Sequence, residues 1–403
     1  MDETELKRFF GRELLDWYRR GNRDLPWRRS RDPYYIWVSE IMLQQTRVET
    51  VIPYFNRFVE RFPTVRALAE APEEDVLKLW EGLGYYSRAR NLQAAAREVA
   101  ERYDGRVPND VEAVRGLKGV GPYTAGAILS IAFGRPEPAV DGNVMRVLSR
   151  YFCLDEDIAR PATRTGMEKL ARELIPEGAA GDFNQALMEL GALVCTPRSP
   201  HCLTCPVMAH CEGRIAGREE ELPVKSKAKP PKPQHRLAVL AVRADGRVLV
   251  RRRPAQGLLA RLWELPHVEA PSESVWDSPE AGPSWLAETL VLEEGVRVRP
   301  NRHLGDAEHV FTHLHWYVRV WGASGASLEA PAQRDLAAAG EAAAASASAE
   351  GQEAALPFAV REAAFPWGEA GEDNYRWIDR AEFEALAWPN VFRKILAAHF
   401  ESS

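Results

Sequence analysis

Four of the chain's five cysteines fall in one short stretch, Cys195, Cys202, Cys205 and Cys211, with the spacing C-x6-C-x2-C-x5-C. A segment so rich in thiols must close on itself, through disulfides or around metal. Disulfide scaffolds belong to secreted chains, and the start Met1-Asp2-Glu3-Thr4-Glu5 does not read as a signal peptide. Zinc sites usually join two short knuckles that lie apart. A compact run of four thiolates suits an iron–sulfur cluster better, with zinc as the alternative. Cys153, between Phe152 and Leu154, is expected to be a buried structural thiol.

At 403 residues the chain exceeds one ordinary core, so two or three domains are expected. Up to about residue 217 apolar residues recur at helical spacing, as in Val76, Leu79, Trp80 and Leu83. The segment 225–233, Lys-Ser-Lys-Ala-Lys-Pro-Pro-Lys-Pro, is charged and proline-rich and reads as part of a linker over 218–234. Beyond it the period becomes two. Leu237, Val239 and Ala241 share a strand face, and Asp245-Gly246 turns the chain back to Val248–Val250. Leu314, Trp316, Val318 and Val320 alternate with polar neighbours. The tract 322–365, rich in Ala, Gly, Ser and Glu, reads as a flexible insertion. Trp377, Ile378, Phe383, Leu386 and Phe392 close this α+β domain.

The net charge of −6 argues mildly against a polyanionic partner, but the acidic excess lies after residue 230. Before it, Arg19, Arg20, Arg23, Arg28, Arg29 and Arg31 form a basic cluster that is either a solvated face or a DNA footprint. No apolar run is long enough to span a bilayer. The expectation is a cytoplasmic multidomain enzyme.

Three local patterns carry chemistry. In Leu117-Lys118-Gly119-Val120-Gly121-Pro122-Tyr123-Thr124-Ala125, two glycines permit a tight turn, and the following helix exposes amides that suit a phosphate. In Val140-Asp141-Gly142-Asn143-Val144, Asp141 is placed to cap a helix, a position that favours its charged form. In Ser39-Glu40-Ile41-Met42-Leu43-Gln44-Gln45-Thr46-Arg47, Glu40 shares a helix face with Ile36, Trp37 and Leu43. Apolar surroundings raise a carboxyl's pKa and suit it to general acid work, the alternative being a partly exposed glutamate.

The cysteine loop after Leu190-Gly191-Ala192-Leu193-Val194, together with the double-glycine turn, resembles the endonuclease III and MutY group of DNA glycosylases. That resemblance implies a multidomain chain. An all-α helix–hairpin–helix region (1–217) would hold a six-helix domain over 25–135 and a cluster domain from 1–24 and 136–217. An α+β Nudix or MutT-like domain would follow at 235–403. It implies a 4Fe–4S cluster on Cys195, Cys202, Cys205 and Cys211, with Arg198 and His201 presented to phosphate. Gly119 and Gly121 would form the hairpin that holds DNA. Glu40 would be the catalytic acid and Asp141 the aspartate that stabilises the sugar cation, with Tyr123 and Asn143 orienting them. Gln45, Thr46 and Tyr85 match DNA-binding positions, and of these Gln45 and Tyr85 match those that wedge into the duplex. Trp27, Arg28, Leu43 and Gln185 match an adenine pocket. For the aromatic residues, a plain core role is the alternative.

Endonuclease III carries a lysine where this chain has Tyr123, and a phenol cannot form the imine that lyase chemistry needs. The resemblance therefore narrows to the MutY type, a monofunctional enzyme that removes adenine mispaired with 8-oxoguanine or guanine. Such an enzyme is expected to act as a monomer on double-stranded DNA. Phe311-Thr312-His313 matches the loop that reads 8-oxoguanine, with Thr312 where many relatives carry serine. The alternatives are an endonuclease III-like lyase on oxidised pyrimidines and a Nudix hydrolase. The stretch 287–295 keeps only a fragment of the acidic metal-binding helix that the hydrolase requires.

Overall fold

The computed structural model describes residues 3–227, 229–328 and 374–402. They gather into two compact units, Met1–Ala228 and Lys229–Ser403. The first unit is helical: α1 (Glu3–Gly21), α2 (Pro33–Leu43), α3 (Val48–Arg61), α4 (Val65–Glu70), α5 (Glu73–Trp80), α6 (Ser87–Arg102), α7 (Val111–Gly116), α8 (Pro122–Phe133), α9 (Gly142–Tyr151), α10 (Pro161–Leu174), α11 (Ala180–Leu193) and α12 (Glu212–Ile215). Helix starts are written locally. Pro33, Pro122 and Pro161 occupy first turns, where their missing N–H costs nothing. Asp32, Thr64, Asp110 and Asp141 accept amide hydrogen bonds as caps.

Helices α2 and α8 are apolar nearly all round and pack against each other inside the unit. Helix α1 returns to α9, α10 and α11, where Phe10, Leu14, Leu148, Phe183 and Leu187 are fully buried. Each such side chain contributes roughly 1.5–3 kcal/mol on burial. Among the described residues no helix is long and apolar enough to cross a membrane.

The second unit is a seven-stranded mixed sheet: β1 (Lys232–Val242), β2 (Val248–Arg252), β3 (Trp263–Glu264), β4 (His267–Glu269), β5 (Val296–Val310), β6 (Leu314–Leu328) and β7 (Tyr375–Ile378). The strand order is β3-β2-β1-β6-β5, with β4 on β1 and β7 on β2. Among the described residues only β1 and β6 pair in parallel. Helices α13 (Glu273–Asp277), α14 (Ala281–Glu294), α15 (Arg380–Ala385) and α16 (Asn390–Ser402) also belong to it. Leu237, Val239 and Ala241 face Leu286 and Leu290 of α14, while Ala238 and Leu240 join the core formed with Phe392 and Leu396 of α16. The expected α+β class follows from this two-sided sheet.

Three local expectations need correction. The segment read as linker is shorter than 218–234. Leu222 is buried, Ser226 donates to Asp157, and β1 already begins at Lys232. Pro233 is tolerated because β1 there pairs only with β6, its β4 partnership starting at Arg236. The tract expected from 322 is strand as far as Leu328, where small residues continue the β5 pairing, Ser327 opposite Arg297. The rest of that tract, 329–365, lies outside the described residues. Cys153 is half-buried rather than buried, on a left-handed turn at φ 50° beside Arg218.

Candidate active site

Glu40 lies on α2 and is 5% exposed. Its Oε2 accepts the hydroxyl proton of Tyr123, the second residue of α8, whose phenol also lies 3.3 Å from Met188 Sδ. Burial pushes the Glu40 carboxyl up to about 7, helped by the nearby charge of Asp141 and opposed by the Tyr123 hydrogen bond and Arg28. Burial and the Glu40 charge hold the Tyr123 phenol well above its ordinary value, so it remains a donor.

Asp141 caps α9. Its Oδ1 accepts the Val144 amide at 2.8 Å, and its Oδ2 accepts Asn143 Nδ2 at 2.8 Å. The capping position alone argues for a lowered pKa, but the direction is upward. Burial outweighs the hydrogen bonds that favour the charged form. Asn143 is fixed in turn by Arg146, whose Nη2 donates to Asn143 Oδ1 and to Gly191 O, while its Nε donates to Cys195 O at 2.7 Å. Gly191 of α11 lets α9 approach; a β-carbon there would lie 2.6 Å from Asn143 Cβ.

The four thiols of Cys195, Cys202, Cys205 and Cys211 line one pocket with Val194, Pro200, Met208 and Arg150. The buried Arg150 donates from Nη1 to Cys195 Sγ at 3.4 Å and to Thr196 O at 2.7 Å, placing a cation against the sulfurs. Among the described residues no three His, Cys, Asp or Glu side chains converge as around one ion. The thiols instead surround a space, a donor set and spacing that fit a multi-atom cluster.

The remaining expected residues occupy separate places in the two units. Gly119 takes φ 79° in the turn before α8, and Gly121 caps that helix. Trp27 is buried edge-on to Phe55. Leu43 ends α2, and Gln45 and Thr46 form the turn beyond it. Tyr85 is 47% exposed. Arg28 and Gln185 line a different cavity with Ser30 and Arg31, which does not include Glu40, Tyr123 or Asp141. Phe311 packs on Trp316 and His309, leaving Thr312 and His313 exposed between β5 and β6. Much of the basic cluster is paired internally. Arg23 and Arg28 both bond the buried Glu189, Arg19 bonds Asp182, and Arg29 bonds Asp24.

Arg88, Arg146, Met188 and Glu189 escaped the sequence reading. A helical spacing of three links Arg146 to Asn143 and Met188 to Gln185, the only local signal either offered.

A buried carboxyl raised partly by the charge of a helix-capping aspartate, in one unit with a four-cysteine loop, defines a class that the family comparisons share. Residues 38–177 match the HhH-GPD superfamily of base excision DNA repair proteins, and 195–211 match the iron–sulfur binding domain of endonuclease III. Residues 238–398 match the NUDIX domain. Human adenine DNA glycosylase is 38% identical over 381 residues, covering 80% of this chain and 68% of its own length. The Schizosaccharomyces pombe adenine DNA glycosylase is 34% identical, covering 77% of this chain and 80% of its own. A thermostable thymine-DNA glycosylase structure is 32% identical, with a TM-score of 0.49, over 53% of this chain and 98% of that one. The chain belongs to the adenine DNA glycosylase family, and its cysteine loop is an iron–sulfur site.

Proposed function

We propose that this chain is a monofunctional glycosylase that removes adenine facing 8-oxoguanine or guanine in duplex DNA, acting as a cytoplasmic monomer. The observation that carries the reading is Glu40, a buried carboxyl that accepts the Tyr123 hydroxyl and that burial pushes up to about 7, so that a share of it holds a proton at neutrality. Glu40 gives that proton to adenine N7. The C1′–N9 bond then breaks with its electron pair going to the base, leaving an oxocarbenium-like sugar. Asp141, whose charged form the Val144 amide and Asn143 favour, stabilises that cation. The Glu40 carboxylate then takes a proton from the water that adds to C1′. Tyr123 is a phenol and forms no imine, so strand cleavage is not part of the reaction.

The adenine must leave the stack before it reaches Glu40. Gln45 and Tyr85 serve as the wedge, with Thr46 supporting the first turn. Trp27 and Leu43 contribute to the adenine pocket, whereas Arg28 and Gln185 open on a cavity apart from Glu40. Gly119 and Gly121 bring the α8 amides to a DNA phosphate. The exposed Thr312 and His313, anchored through Phe311, read 8-oxoguanine. Cys195, Cys202, Cys205 and Cys211 would hold a 4Fe–4S cluster, which would fix their loop and present Arg198 and His201 to phosphate. In the second unit Glu294 is committed to Arg251 and Tyr375, which speaks against metal-dependent nucleotide hydrolysis.

The test is single-turnover base release from duplexes holding adenine opposite 8-oxoguanine, adenine opposite guanine, or an oxidised pyrimidine opposite purine. Adenine release that gives strand breaks only after alkali supports the reading. Breaks without alkali at the oxidised pyrimidine would refute it.

A further inference from the structure

Two turns of the helical unit place ordinary residues in the left-handed backbone region, Gln45 at φ 57° after α2 and Tyr85 at φ 46° before α6. L-residues avoid this region, so the surroundings must hold each turn in place. One side chain reaches both. Arg88 Nη1 donates to the carbonyls of Ile41 at 2.8 Å, Met42 at 3.0 Å and Gln44 at 2.6 Å. Its Nη2 donates to the carbonyls of Leu83 and Gly84, both at 3.1 Å, and lies 3.5 Å from Thr46 Oγ1. The Ile41 and Met42 carbonyls end α2, where a cation also meets the negative end of the helix. The guanidinium lies 5.4 Å from the Trp80 ring and 5.7 Å from that of Tyr85.

Five carbonyls from two separate turns thus share one planar donor. A guanidinium can serve two diverging sets of acceptors because its N–H groups are fixed in a fork. An ammonium, a single point with three donors, cannot span both. We infer that Arg88 is a positioning residue that locks the Gln45 and Tyr85 turns into one rigid wedge, so that both side chains enter the duplex as a unit. This rests on reading Gln45 and Tyr85 as the wedge. Without the fork the turns relax, and shaping them again must be done while bound to DNA. Base extrusion then slows, while the Glu40 and Asp141 chemistry is untouched.

Excision under single-turnover conditions, and the fluorescence of 2-aminopurine at the target position, test this in the full chain. The variants are R88K, R88M, Q45A/Y85A and R88M/Q45A/Y85A. R88K and R88M are expected to slow excision about tenfold or more and to abolish the fluorescence rise on binding. R88K keeps the charge and serves where R88M fails to fold. Adding R88M to Q45A/Y85A is expected to cost less than about twofold further, the signature of action through those residues. Equal losses in both backgrounds, or an R88K protein with full excision and fluorescence rise, would overturn the role of Arg88 and leave the wedge standing. Undiminished excision and fluorescence in Q45A/Y85A would overturn the wedge reading itself, and this inference with it.

Discussion

The Tyr123 hydroxyl donates to Glu40 Oε2, and among the groups around Glu40 it does most to favour the charged carboxylate. Burial still wins, and the carboxyl sits at about 7. Glu40 is therefore protonated below that pH and loses its proton above it. Excision is expected to fall about tenfold per pH unit on the alkaline side. Y123F removes the donor, so the pKa climbs and the alkaline limb moves to higher pH. Single-turnover rates across the neutral range check this, and a limb displaced to lower pH would contradict it.

The same burial costs stability. Between the ordinary carboxyl value of 4.5 and about 7 the folded chain holds a proton that the unfolded chain has lost. Stability therefore falls as pH rises through that window, and the penalty is complete above 7. E40Q is expected to be more stable than wild type above pH 7, by on the order of 1–3 kcal/mol, with the difference vanishing in acid. It should bind mismatched DNA and release no adenine. Denaturant titrations at acid and alkaline pH, paired with an excision assay, provide the check.

Asp141 depends on how closely α9 meets α11. G191A would bring a β-carbon to 2.6 Å from Asn143 Cβ and 3.0 Å from Asn143 O, with backbone on one side of the clash. The N-terminus of α9 must shift, carrying the Asp141 cap with it. The expected result is a loss of roughly 1–3 kcal/mol in stability and a fall in excision larger than the fall in mismatch affinity. Equal falls would mean the shift does not reach Asp141.

In the second unit Arg251 joins Glu264 and Glu294, with all three side chains 3% exposed or less. R251M leaves two buried carboxylates short of their cation, at a cost of roughly 3–5 kcal/mol. Thermal melting should show the second unit unfolding earlier, with the helical unit unchanged. A coincident shift of both transitions would count against this assignment.

Thr312 and His313 lie exposed at the β5–β6 turn, the place proposed to read the opposite base. T312A is expected to slow excision opposite 8-oxoguanine several-fold, with little effect opposite guanine. A uniform loss on both duplexes would point to a folding defect instead.

The fold class and the family were legible in the sequence because their signals are local. The cysteine spacing, the double-glycine turn and the change from helical to alternating period each fit within a few residues. Asp141 could be placed as a cap for the same reason, and Glu40 as a carboxyl among apolar neighbours. The direction of Asp141's pKa was not legible, since burial depends on packing from distant helices. Arg88 and Glu189 carry no local signal in the sequence, and Arg146 only its helical spacing from Asn143. Their partners lie far along the chain, Gln44 for Arg88, Cys195 for Arg146, and Arg23 and Arg28 for Glu189. The tract after residue 322 read as unstructured from its small residues, yet pairing with β5 carries the strand to Leu328.

The left-handed backbone at Gln45 and Tyr85 also bears on how such a chain evolves. Glycine at either position would remove the conformational cost and make the folded chain more stable. It would also delete the side chain that the turn presents. Drift toward robustness and selection for turnover therefore pull these two positions in opposite directions. A lineage screened only for heat tolerance should be drawn to glycine there, and should give up repair capacity to gain it.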